Sequence, residues 1–179
     1  MGRSCGQGLW TRRHELCDRY IVSRPPRIDG FTCCGPYRYL LTFCTHFRQP
    51  AFLDDDLAVA TLGQFRTTAA EDHFAILAYC LMPDHVHLLV EGRSERSDFR
   101  GLIKSLKQSS GQRHAARTKQ RLWQEGYWDR VLRPDDDAKK IARYIVENPV
   151  RAGMVRCAVD YPLVGSDVWT LEELIDSLW

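Results

Sequence analysis

Two hydrophobic rhythms alternate along this chain, and the switches between them mark out its elements. Tyr37 to His46 (Tyr-Arg-Tyr-Leu-Leu-Thr-Phe-Cys-Thr-His) is dense in aromatic and β-branched residues and predicts a buried strand. Gln49-Pro50 signals a loop. Asp54-Asp55-Asp56 then signals a helix start, because carboxylates suit the positive end of a helix dipole. Apolar residues at 57, 58, 62, 65 and 69 follow at close to helical spacing, predicting a helix over Leu57 to Asp72. Phe74 to Met82 reads as a second strand and His85 to Glu91 as a third. Only the turn signal Pro83-Asp84 separates them, so they must form an antiparallel hairpin. Asp98 to about Ala116 predicts a second helix, with Phe99, Leu102, Ile103 and Leu106 on one side. An aromatic loop, Leu122 to Trp128, leads to a short fourth strand over Asp129 to Arg133. Pro134-Asp135-Asp136-Asp137 opens a helix from Ala138 to Asn148, which Pro149 stops. Thr170 is a natural N-cap for a last short helix reaching Leu178.

This order defines an α+β fold: a ferredoxin-like (RRM-like) split β-α-β-β-α-β antiparallel sheet with an additional C-terminal helix. The expected organisation is a basic N-terminal tail over 1–35, one domain over 36–160, and a C-terminal tail over 161–179. The first tail owes its charge to Arg12, Arg13, Arg19, Arg24 and Arg27, and its Ser23-Arg24-Pro25-Pro26-Arg27 segment should be extended.

Composition adds limits. A chain of 179 residues can bury one sizeable core. No apolar run reaches the ~18 residues of a membrane span, and Met1 to Trp10 shows no secretory h-region, so a cytoplasmic location is expected. The seven cysteines follow no paired C-x₂-C spacing, and reduced thiols are expected. A net charge of +2 names no partner, but its distribution is uneven. From Arg100 to Arg151 thirteen Lys or Arg stand against six Asp or Glu. That asymmetry suits a polyanion, and equally suits solvated helix faces.

The chemistry concentrates in the third strand. Side chains two apart on a strand share a face, so His85 and His87 project together while Val86, Leu88 and Val90 go to the other side. Paired imidazoles at this spacing suit a metal ion, although His-x-His alone also occurs incidentally. On the helix after Asp137, Tyr144 and Asn148 are i and i+4 and share a face. A phenol and an amide there can equally be structural. His46, ending the first strand, is a further candidate to approach the site or a nucleic acid. Trp123 and Trp128 read as core before base-stacking platforms.

Four stretches, taken together, carry a family resemblance. They are Tyr39-Leu-Leu-Thr-Phe-Cys-Thr-His46, Leu81-Met-Pro-Asp-His-Val-His-Leu-Leu-Val90, Gly126-Tyr-Trp-Asp-Arg130 and Tyr144-Ile-Val-Glu-Asn-Pro-Val-Arg-Ala-Gly-Met-Val155. The chain resembles the REP-associated tyrosine transposases, a branch of the single-tyrosine HUH transposases. The resemblance implies that Tyr144 is the nucleophile, attacking a phosphodiester of single-stranded DNA to give a 5′-phosphotyrosine and a free 3′-hydroxyl. It implies His85, His87 and Asn148 as metal ligands, and a hairpin-forming, REP-like DNA as partner.

Physical chemistry is compatible with those roles. A phenol with a pKa of roughly 10 is a weak nucleophile until its phenolate or the target phosphate is stabilised. A divalent ion can polarise the phosphoryl oxygen. Mg²⁺ prefers oxygen ligands and imidazole suits Mn²⁺ better, so the cofactor is expected to be one of the two. Lys104, Lys107, Arg113, Lys140 and Arg151 are the expected phosphate contacts. A monomer and a homodimer both fit. The alternatives are a domesticated hairpin or single-strand DNA-binding protein that does not cut, and a hydrolase or RNA-binding domain on the same scaffold.

Overall fold

The computed structural model describes residues 32–176. The basic tail expected over 1–35 therefore lies outside the described residues except for its last four. The main elements are β1 (Arg38–Cys44), α1 (Asp55–Glu71), β2 (Phe74–Met82), β3 (His85–Gly92), α2 (Phe99–Thr118), β4 (Trp128–Val131), α3 (Ala138–Val146), α4 (Asn148–Arg151), β5 (Val164–Gly165) and α5 (Leu171–Ile175). The sheet order is β4-β1-β3-β2-β5 with every pairing antiparallel. The first four strands form the expected split β-α-β-β-α-β sheet, and β5 extends it at the β2 edge.

Side-chain alternation divides the sheet into two chemically different faces. Tyr39, Leu41 and Phe43 on β1 stand opposite Val90, Leu88 and Val86 on β3, and all six are essentially inaccessible. This face is covered by α1 and α2. Phe99 of α2 stacks on Tyr39 with ring centres 3.8 Å apart, and Phe65 of α1 tilts against Phe43 at 5.8 Å. Trp123 meets Phe43, Phe52 and Phe65 and donates its indole N–H to Ser110 Oγ at 2.9 Å, which makes it core. Burying this many aromatic rings supplies much of the driving force for the layer.

The opposite face carries Thr42 and Cys44 of β1, Cys80 and Met82 of β2, and His85 and His87 of β3 as cross-strand neighbours. A bulge between Ile76 and Ala78 leaves Leu77 outside the β2–β3 register and sets this phase. The helix α3 packs across this side of β2 and β3 through Ala142, Ile145 and Val146.

Helix starts follow the sequence closely. Asp54, Asp98, Asp137 and Thr170 each cap a helix with their side chains, Thr170 in a full capping box with Glu173. Two readings change. The helix expected over Ala138 to Asn148 ends at Val146, and Pro149 sits inside the short helix α4 instead of terminating the chain's helical path. Pro149 has no N–H for the Ile145 carbonyl four residues back, and the side chain of Asn148 donates to that carbonyl instead, at 3.0 Å.

The segment after Asp160, expected as a tail, is also knitted into the sheet. Val164–Gly165 pairs with Tyr79 and Cys80, and the Tyr161 hydroxyl donates to the Leu81 carbonyl at 2.8 Å. Gly165 lets the Tyr79 ring lie close over the strand, because a Cβ there would fall 2.5 Å from the Tyr79 hydroxyl and push the ring aside.

Candidate active site

β3 begins at His85, directly after the Pro83-Asp84 turn. The Nε2 atoms of His85 and His87 face each other at 3.1 Å, their rings nearly perpendicular. Each outer nitrogen is held by a different element. His85 Nδ1–H donates to the Asp84 carboxylate at 2.6 Å, and His87 Nδ1 shares a hydrogen bond of 2.8 Å with the Thr42 hydroxyl of β1. Asp84 also faces Arg48, its Oδ2 lying 3.6 Å from the guanidinium Nε. All four of Thr42, Asp84, His85 and His87 are buried.

This arrangement defines what the pair can bind. A carboxylate on His85 Nδ1 places a proton on that nitrogen, and in the corresponding neutral tautomer the lone pair faces inward at Nε2. Burial holds His87 well below the usual histidine range, helped by the charges of His85, Arg151 and Arg48. The His87 ring is therefore neutral, as a ligand must be. With its proton on Nε2 it bridges to His85. With the proton on Nδ1, donated to Thr42, it offers a second inward lone pair. Two nitrogens each about 2.1 Å from one ion and at right angles about it stand about 3.0 Å apart, so the observed separation fits two adjacent ligands of one divalent cation. Partners on the outer nitrogens are what orient ligating histidines.

Tyr144 lies on α3, which crosses this face, and Asn148 opens α4 directly after it. The side-chain nitrogen of Asn148, which is buried, is committed to the carbonyls of Tyr144 (3.3 Å) and Ile145 (3.0 Å). Those two bonds identify the amide oxygen as the end turned away from the α3 terminus. Tyr144 is half-buried, and Arg151 lies against it: the guanidinium carbon is 3.8 Å from the ring centre and Nη2 donates to the Tyr144 carbonyl at 2.5 Å. Arg151 is close enough to this site to act on His87.

The five basic residues expected at phosphates do not form one group. Lys104 and Arg113 are exposed on α2, and Lys140 is exposed beside Asp137 at 3.7 Å. Lys104 lines an open cleft of about 690 Å³ with Lys119 and Arg121. Lys107 lines the same cleft, but its ammonium is bound to the carbonyls of Gln124 and Gly126 at 2.8 and 2.7 Å. Burial lowers its pKa, and its first role is to tie the 119–126 loop to α2. Arg151 is engaged with Tyr144 and, at 3.8 Å, with Glu147.

Sequence reasoning passed over Arg48 and Thr42. Nothing local marks either. Thr42 becomes a neighbour of His87 only through the β1–β3 register, and Arg48 reaches Asp84 only because the chain turns back after β1.

The helix that carries Tyr144 thus packs on the two strands of the hairpin that bears the buried histidine pair. The chain belongs to the IS200-like transposase family, whose model matches residues 35–148. It is 27% identical over 140 residues to a protein of Haemophilus influenzae provisionally named a REP-associated tyrosine transposase, covering 69% of this chain and 76% of that one. It is 29% identical over 89 residues to the REP-associated tyrosine transposase of Escherichia coli K12, covering 50% of this chain and 52% of that one, so it spans about half of that relative's length. The fold resembles a solved REP-associated tyrosine transposase bound to a REP hairpin, with a TM-score of 0.62 at 21% identity over 78% of this chain and 82% of that chain. Among the described residues no helix is long and apolar enough to cross a membrane.

Proposed function

We propose that this transposase nicks and rejoins single-stranded DNA beside a hairpin, with Tyr144 as nucleophile. The phenolate oxygen of Tyr144 attacks the scissile phosphorus and the bond to the 3′-oxygen breaks. The products are a 5′-phosphotyrosine and a 3′-hydroxyl, and the reverse step rejoins strands with no external energy source. His85, His87 and Asn148 would hold a divalent ion, Mg²⁺ or Mn²⁺, whose contribution when bound is to polarise the phosphoryl oxygen. Asp84 and Thr42 keep the imidazoles oriented, and Lys104, Arg113 and Lys140 offer charge to the DNA backbone. Hairpin DNA as substrate is carried over from the solved REP-hairpin complex, whose fold this chain shares.

The observation that carries this reading is the 3.1 Å approach of two inward-facing Nε2 atoms on the face crossed by the Tyr144 helix. The test is covalent trapping. A labelled single strand with a hairpin and flank is incubated with Mg²⁺ or Mn²⁺ and resolved under denaturing conditions. Wild type should give a protein–DNA adduct. Tyr144→Phe should give none, and His85→Ala should lose the adduct while keeping hairpin binding. An adduct from Tyr144→Phe would falsify the assignment. Hairpin binding by wild type with no adduct would make this a binding protein, and a free 5′-phosphate with no trapped tyrosine would make it a hydrolase.

A further inference from the structure

The chain leaves β1 at Cys44, opposite His85, and immediately makes a tight turn over His46–Arg48. Its base is tied to the histidine site. Thr45 N–H donates to the Asp84 carbonyl at 2.9 Å, and its hydroxyl lies 2.6 Å from the Gln49 carbonyl and 3.0 Å from that of Asp84. Arg48 folds back so that Nη1 donates to Cys44 Sγ at 3.0 Å and Nε faces Asp84. Further bonds close the turn, from Arg48 N–H to Thr45 O and from Gln49 N–H to His46 O.

The backbone of this turn is costly. Phe47 (φ 52°) and Arg48 (φ 55°) are consecutive non-glycine residues in the left-handed region. That conformation is disfavoured for side chains with a Cβ, more so for bulky ones, and Gly or Asn would adopt it more readily. Core packing does not explain the phenylalanine, because Phe47 is 81% exposed, more than any other large hydrophobic residue described. Among the described residues its ring contact is His46, with centres 4.1 Å apart. The strained turn thus holds a bare aromatic face at the rim of the candidate active site, anchored through Arg48 and Thr45 to the residue that orients His85. Strain maintained at such a position is characteristic of ligand-clamping segments.

We propose that Phe47, backed by His46, is a stacking platform for one unpaired nucleobase of the strand entering the His85/His87 site. An exposed π-face beside cationic side chains is how proteins grip single strands without reading hydrogen-bond patterns. The carboxylate at this rim, Asp84, is already partnered by His85 and Arg48 and does not repel a phosphate as a bare charge would. The platform rests on the reading of the site as one that takes single-stranded DNA, and goes beyond it by placing the contact on Phe47 and assigning it to an unpaired base.

The experiment uses the full chain and two DNAs: a hairpin with a single-stranded flank, carrying 2-aminopurine at successive flank positions, and the same hairpin without the flank. Wild type should quench or shift the fluorophore strongly at one flank position. Phe47→Ala should abolish that signal and weaken the flanked DNA about 5- to 100-fold, leaving the flankless hairpin unchanged. Phe47→Trp should restore both, and Phe47→Leu, apolar but without a π-face, should not. Thermal melts should show all three variants folded, since the ring is exposed. Unchanged affinity of Phe47→Ala for the flanked DNA, equal losses on both DNAs, or wild-type behaviour of Phe47→Leu would each overturn the platform. If those results come with wild-type adduct formation intact, the platform alone fails. Wild type that binds neither DNA overturns the parent reading together with it.

Discussion

Arg151 lays its guanidinium over the ring of Tyr144, 3.8 Å from the ring centre, and donates to the carbonyl of the same residue. Seven residues separate the two, about two helical turns. Side chains of a helix lean toward its N-terminus, so an arginine in α4 can reach back to a ring in α3. The expected phosphate contact is therefore first a brace on the tyrosine. Arg151→Met, which keeps length and removes charge, should slow adduct formation about tenfold, the equivalent of ~1.4 kcal/mol, with little loss of hairpin affinity. Arg151→Lys should recover only part, because an ammonium cannot stack as a planar fork does. Single-turnover trapping, with binding measured separately, checks both.

The outer hydrogen bonds of the histidines can be tested without touching a ligand. Thr42→Val preserves shape and removes the partner of His87 Nδ1, and Asp84→Asn weakens the hold on His85 and on Arg48. Each should reduce Mn²⁺ affinity about 10- to 100-fold, read by titration calorimetry or by the electron-spin resonance of free Mn²⁺. Unchanged Mn²⁺ affinity in both variants would argue that no ion sits between these rings.

Two lysines three residues apart on one helix, Lys104 and Lys107, should separate cleanly. Lys107→Met breaks two hydrogen bonds to loop carbonyls and should cost about 1–3 kcal/mol of stability, measured by urea denaturation. Lys104→Ala should leave stability unchanged. Its effect should be on the salt dependence of DNA binding, lowering the slope of log affinity against log salt by about 0.7 to 0.9.

Tyr161 reports on the last strand. Burial, with smaller contributions from Cys80 and Asp55, raises its pKa above the usual tyrosine range. A raised folded-state pKa means the folded protein holds the proton longer than the unfolded chain. Stability is then full below a pH of about 10 and falls as the pH rises beyond it. Tyr39, also raised by burial, acts in the same direction. Tyr161→Phe removes the bond to the Leu81 carbonyl and should cost about 1 kcal/mol at neutral pH, while flattening the alkaline decline. Denaturation midpoints across the range decide it.

The strands, helix starts and hairpin were legible in the sequence because they rest on local rules. Alternation placed His85 and His87 on one face, a two-residue turn forced β2 against β3, and aspartates and a threonine announced four helix N-termini. What was not legible depended on partners far away in sequence. β5 is two residues long and has no periodicity of its own, so its strand identity comes wholly from the free edge of β2. Asn148 looked like a helical continuation of Tyr144, yet α3 ends at Val146 and the Asn148 amide nitrogen turns to the carbonyls of Tyr144 and Ile145.

By itself, then, the sequence determined the two-faced sheet and the residue types capable of the chemistry, since periodicity and turn chemistry act between near neighbours. Only the tertiary structure decided which residues tune that chemistry. Pairing of β1 with β3 delivers Thr42 to His87, the strained turn after β1 brings Arg48 to Asp84 and bares Phe47, and the 119–126 loop draws Lys107 inward. These relationships are hydrogen bonds, charges and exposures between segments distant in the chain, and they come into being only when the sheet and its covering layers close together.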